Sequence, residues 1–241
     1  MSEDVAESAG ETPSSRTGSV AAIAILGFVL TFGVGMLVYP KPASPPQAPA
    51  AGPLPAIGKT AVGETIRVPA VGLTLVRPDG WSTVSADQNV RNIRSVRMDD
   101  PEFQELVARY ATVPAVMIAK YPEPHDDLNP SFKVNVRPLG AFAGRPPEAI
   151  LGGTIPILRR AFSDLTIEEG PTPTTVAGKR AAYARVAYTL RAGGQAIPTV
   201  SEFWIVPTGS VFLMIGAGTR ADERNGKRAE MRAILDSIRI E

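Results

Sequence analysis

The chain's one histidine, His125, lies in Glu123-Pro124-His125-Asp126-Asp127. An imidazole beside two carboxylates is the make-up of a divalent-metal site or an acid–base pair, so His125, Asp126 and Asp127 are the metal-ligand candidates. Against that reading, a proline bounds the segment and places it in a loop between two strands. A metal would also need further ligands converging from elsewhere. A polar surface loop is the simpler account. Gly216-Ala217-Gly218-Thr219-Arg220-Ala221 has the G-x-G-x-x-A spacing that lays a pyrophosphate on a helix N-terminus, with Glu241 at about the right distance for the ribose. The strands before it are joined by tight hairpins, however, and a dinucleotide fold needs helical crossovers. The glycines are therefore read as releasing a strand into a helix.

Arg91, Arg94 and Arg97 form a small basic cluster able to meet phosphate or lipid headgroups. Asp99, Asp100, Glu102 and Glu105 follow at once, so a solvated, self-compensated face is the plainer reading. No Walker loop, G-x-S-x-G elbow or H-E-x-x-H occurs. With zero cysteines, structural disulfides, thiolate zinc sites, a cysteine nucleophile and lipoprotein acylation are excluded. No cofactor is expected.

The elements that must position these groups begin with an anchor. No charged residue lies between Arg16 and Lys41, a run of 24 positions. As a helix it would be about 36 Å long against a hydrocarbon core of roughly 30 Å. Residues 19–39 are read as a transmembrane helix, with Tyr39 at headgroup level and Pro40 and Pro42 ending it. The alternative is a signal peptide cleaved near Ala50, after Ala48-Pro49-Ala50, but the preceding tail is acidic and the apolar run is longer than such peptides carry. Arg16 and the terminal amine favour a cytoplasmic N-terminus and an extracytoplasmic domain in the cell's inner membrane. Gly27, Thr31 and Gly35 make a small-residue stripe suited to helix–helix contact.

Residues 1–18 are read as a disordered acidic tail, 40–57 as a Pro/Ala-rich spacer and 58–241 as one folded domain. Up to residue 57 four acids face two bases, net −2; the remainder has 23 bases against 20 acids, net +3. That is no nucleic-acid footprint.

Within the domain, strands are expected at Ile66–Pro69, Leu73–Val76, Val116–Tyr121, Phe132–Arg137, Tyr183–Leu190, Ile197–Val206 and Val211–Ala217, with a short terminal strand at Ser237–Ile240. Phe132, Val134 and Val136 alternate with Lys133, Asn135 and Arg137, which predicts one buried and one wetter face. Val211–Ile215 is apolar throughout and predicts a central strand covered on both sides. Helices are expected over Pro101–Tyr110, around Leu151–Phe162 with a kink at Pro156, and over Ala221–Asp236. Trp81, Trp204 and Tyr188 are read as core aromatics. The fold class is α+β.

This order, led in by Pro78-Asp79-Gly80-Trp81 and closed by an apolar strand, a helix and Ser237-Ile238, resembles the PsbP-like superfamily. The resemblance implies a central antiparallel sheet with helices on both faces, in a family that mostly binds or assists assembly. It carries no functional residue over. The expectation is a non-catalytic, membrane-tethered binding or assembly module, with the membrane and a protein of a membrane complex as partners and no nucleic acid. The rivals are an enzyme or metal domain built on His125 and its carboxylates, and a structural subunit held by the glycine stripe.

Overall fold

The run Val211–Arg220 is apolar or small on both faces as far as Gly218, so it can sit only where both faces are covered. In the computed structural model, which describes residues 63–109, 114–122, 125, 127–222 and 227–241, it does. The expected anchor, spacer and tail, with Gly27, Thr31 and Gly35, lie outside the described residues. No helix among the described residues is long and apolar enough to cross a membrane.

The strands are β1 (Gly63–Val68), β2 (Leu73–Pro78), β3 (Ser82–Thr83), β4 (Val96–Arg97), β5 (Val116–Ala119), β6 (Ser131–Pro138), β7 (Thr166–Val176), β8 (Lys179–Ala192), β9 (Gln195–Thr208), β10 (Val211–Arg220) and β11 (Arg239–Ile240). The helices are α1 (Ala86–Ser95), α2 (Pro101–Arg109), α3 (Pro147–Ala161) and α4 (Arg228–Asp236). Eight strands form one antiparallel sheet, ordered β3-β5-β6-β10-β9-β8-β4, with β7 along the rest of β8. A second sheet runs β1-β2-β11. The protein is therefore α+β with antiparallel sheets.

Alternation along the large sheet divides its side chains between two cores. Phe203, Ile205, Phe212 and Met214 face α1, α2 and α3, joined by Ile93, Phe103, Val107, Ile150 and Leu158. Trp204, Val206, Leu213 and Ile215 face the small sheet and α4, joined by Leu75, Trp81, Met231 and Ile234. Trp81, Trp204 and Tyr188 are buried, as expected.

The structure departs from the sequence reading at several places. The strand read as Val211–Ala217 continues to Arg220, and the last helix begins at Arg228 rather than Ala221. The G-x-G-x-x-A glycines therefore lie inside β10, paired with both neighbours, where no helix N-terminus can receive a pyrophosphate. Lys133 and Asn135 are buried, because β6 adjoins the central strand and shares its cover on both sides. The elements that went unread include α1, whose inward stripe is mostly amide, β7, whose prolines and glutamates disguise a strand, and the two-residue strands β3 and β4. Pro156 lies inside α3, which continues to Ala161.

Composition and sheet position agree in β7. Proline and charge suit an edge, where one row of backbone groups needs no partner. Gly170 interrupts its pairing with β8 at φ +79°, and a Cβ there would come within 2.3 Å of the Tyr183 carbonyl oxygen. Gly170→Ala should therefore cost about 1–3 kcal/mol, read as a lower urea midpoint at unchanged slope.

Candidate functional site

Lys133, Asn89, Asn92 and Asn135 are polar and buried, and two of them, Lys133 and Asn89, bond to each other. Lys133, on β6, points to the helix-covered side of the sheet, opposite Gly216 of β10 and Met117 of β5. Glycine at 216 leaves the lysine stem no cross-strand side chain on the β10 side. Lys133 is fully buried. Its Nζ donates to Asn89 Oδ1 of α1 at 3.2 Å. Burial holds its amine well below the usual lysine range, and burial is the only cause of that shift.

Local sequence explains how α1 comes to lie there. Ser85 caps the helix, its Oγ accepting from the Gln88 backbone N–H at 3.2 Å, so the chain turns inward directly after β3. Asn89, Asn92 and Ile93 then follow at i, i+3 and i+4 on the inward face, all buried. Asn92 Oδ1 accepts from Gln88 Nε2 at 2.7 Å, while its own Nδ2 is buried with no partner among the described residues. Asn135, two residues from Lys133 on the same sheet face, has a buried Nδ2 in the same state. The small-residue floor continues one row along, where Ser201, Gly218 and Ser131 stand side by side across β9, β10 and β6. Further toward β8, the Tyr188 hydroxyl and Ser201 Oγ lie 3.1 Å apart.

The helix-covered side of the sheet thus buries several polar groups, and two amide nitrogens among them have no partner among the described residues. A lysine amine has three donor sites and an asparagine amide nitrogen two. Burying such groups without acceptors costs free energy.

The residues singled out from the sequence are not gathered here. The His125 ring stacks on Tyr121, centroids 4.5 Å apart. Its Nε2 is buried without a partner among the described residues. Asp127 Oδ1 is taken by the Leu128 N–H at 2.7 Å and Arg220 Nη1 at 2.6 Å. Arg220 also grips Asp222, and these bonds raise its pKa. Asp126 lies outside the described residues. No three His, Cys, Asp or Glu among the described residues are grouped to hold a metal. Arg91, Arg94 and Arg97 are exposed, with Arg91 bonded to Gln88.

On the opposite face, buried Glu202 accepts from the Tyr183 hydroxyl at 2.7 Å and Arg228 at 2.9 Å. Burial, then Glu202, raises the Tyr183 pKa. That group is satisfied, carboxylate against cation, and pins α4 to β9.

Sequence reasoning missed Lys133 although a signal existed. A strand beside one that is apolar on both faces is itself covered on both faces, so its polar residues go inside.

No family model matches the chain, and no curated protein matches it in sequence. Among solved structures, the chain is similar to the cyanobacterial PsbP protein CyanoP of Synechocystis, at 13% identity and TM-score 0.45, covering 79% of this chain and 100% of that one. It is similar to LpqN of Mycobacterium tuberculosis, described as involved in cell envelope biogenesis, at 13% identity and TM-score 0.41, covering 70% and 82%. A Bacteroides thetaiotaomicron protein is similar at 10% identity and TM-score 0.41, covering 74% of this chain, which spans about half (48%) of that structure's length. At these scores none of the three assigns this chain a family, a ligand or a partner.

Proposed function

We propose that this chain is a membrane-tethered binding module that holds a ligand without transforming it. The observation that carries the reading is the burial of Lys133 under α1, with Asn89 as its acceptor, together with the buried Asn92 and Asn135 amide nitrogens that have no partner among the described residues. Buried groups of this kind are stabilised by a bound molecule that brings acceptors. The tether rests on the uncharged run between Arg16 and Lys41 and on the proline spacer after it. The membrane-anchored form of a PsbP-like domain, facing the extracytoplasmic side, belongs to the same proposal.

The full chain, purified in mild detergent from its native membranes, should carry a small molecule in near-stoichiometric amount, recovered unchanged on denaturation and identified by mass spectrometry. The Lys133→Met chain should carry at least tenfold less. Equal loading of both chains, or release of the protein from membranes by carbonate, would overturn the binding and tethering parts respectively.

A further inference from the structure

We propose that α1 is a proton-operated strap: it lies on the sheet while the Lys133 amine is neutral and lifts away when that amine takes up a proton. The device belongs to the fold's own equilibrium and stands independently of the binding reading above.

Sheet topology makes α1 a strap. It connects β3 to β4, the two ends of the strand order β3-β5-β6-β10-β9-β8-β4. Each of those strands is two residues long: Ser82 and Thr83 pair with Ala119 and Ile118, and Val96 and Arg97 with Ala192 and Arg191. Of the ten residues of α1, only Asn89, Asn92 and Ile93 are buried. Ile93 is the one apolar side chain of the three, and the buried Asn92 Nδ2 has no partner among the described residues. A helix held by so little apolar burial, between two short ladders, opens at lower free-energy cost than the long strands beneath it.

Helix and amine meet at one contact. Lys133 Nζ donates to Asn89 Oδ1 at 3.2 Å, and that is its only partner among the described residues. An ammonium has three N–H groups and a full charge to satisfy, and keeping it dry beside one amide oxygen is costly. Lifting α1 gives it water. Charged neighbours offer no substitute. Asp87, Arg91 and Arg94 of α1 are exposed, and β5 carries no ionisable residue. Arg220, the one charged residue of β10, grips Asp127 and Asp222. Arg137, four residues along β6 on the same face, is itself a cation. Burial alone acts on the Lys133 amine and holds it well below the ordinary lysine range.

Proton uptake therefore accompanies opening. With α1 docked, the amine is neutral above its lowered pKa. With α1 lifted, it is solvated and keeps a proton up to about pH 10.4. Between those two values each fall of one pH unit raises the population of the lifted form about tenfold, and below the docked value the gain stops. Acid loosens the strap and alkali fastens it.

The test is amide hydrogen exchange of the full chain in detergent, read by mass spectrometry from about pH 6 to 9.5 and corrected for the intrinsic pH dependence of exchange. Above the docked pKa, peptides covering Ala86–Ser95 should lose protection about tenfold per unit fall in pH. Their exchange should depend less on urea than that of peptides from β9 and β10. In a Lys133→Met chain the α1 protection should not change with pH. A 13C-lysine spectrum of the parent, which needs no variant, should show Lys133 as a neutral amine throughout the sloped range. An ammonium signal there, or flat α1 protection in the parent, would overturn the strap. So would α1 exchange that matches β9 and β10 in both protection and urea dependence, or an unchanged pH slope in a folded Lys133→Met chain.

Discussion

Truncating Trp81 to alanine should lower the unfolding free energy of the domain by roughly 3–5 kcal/mol, the range for removing a fully buried large aromatic. The ring is 1% exposed and fills the core between the small sheet, β5 and α4. Its Nε1 donates to Glu230 Oε2 at 2.7 Å, and Lys120 Nζ donates to the same oxygen at 2.7 Å. One side chain thus links the turn after β2, the second strand of the large sheet and the last helix. Burial pushes the Glu230 carboxyl up, but the bonds from Lys120 and Trp81 outweigh it, leaving the pKa below its ordinary value. Alanine removes both the packing and one of those donors. Trp81→Phe keeps most of the burial and loses the donor, so it should cost about 1–2 kcal/mol. Urea unfolding monitored by far-UV circular dichroism checks both. An alanine variant within about 1 kcal/mol of the parent would show that the site collapses around the loss.

The second large effect reverses sign between a single and a double substitution. Asn89→Ala removes the acceptor that Lys133 uses and should cost about 1–3 kcal/mol. Replacing both partners, Asn89→Leu with Lys133→Met, leaves no orphan at that contact and should be neutral or stabilising. The pH dependence follows from the same burial. The Lys133 amine is held well below its unfolded value, by burial alone, with Asn89 of α1 facing it and Met117 and Gly216 beside it. Above its folded pKa the native amine is neutral, while the unfolded chain still binds a proton up to about pH 10.4. In that interval the unfolded state carries the extra proton, so this group's contribution to stability rises with pH and levels off near pH 10.4. Stability curves from pH 6 to 10.5 for the parent and the Lys133→Met chain should therefore converge on the alkaline side, the parent gaining relative to the variant. Parallel curves would mean that the amine is charged in the native fold, contrary to this account.

Much of the scaffold was readable from residue order. The period-two runs at Phe132–Arg137 and across the last third located strands β6, β8, β9 and β10, and the apolar run Val211–Ile215 placed β10 at the centre of the sheet. Hydrophobic periodicity reports an element whenever its buried face is apolar. It fails where the buried face is polar, and that is where the candidate site lies. The inward stripe of α1 is Asn89, Asn92, Ile93, which by composition alone reads as a surface segment. The motifs that drew attention were local in sequence, and the fold scattered them. Asp127 went to Arg220, 93 positions away, and the G-x-G spacing became the middle of a paired strand.

Residue order by itself thus determined the uncharged run, the proline-rich run after it, the α+β class and the central strand, because each depends on the composition of contiguous segments. Only the tertiary structure decided that Lys133 is inside, that Asn89 reaches its amine from 44 positions away, and that the Asn92 and Asn135 amide nitrogens are buried with no partner among the described residues. A side chain's hydration is set by what packs over it, and here the cover comes from a distant helix whose own sequence gives no sign of burial.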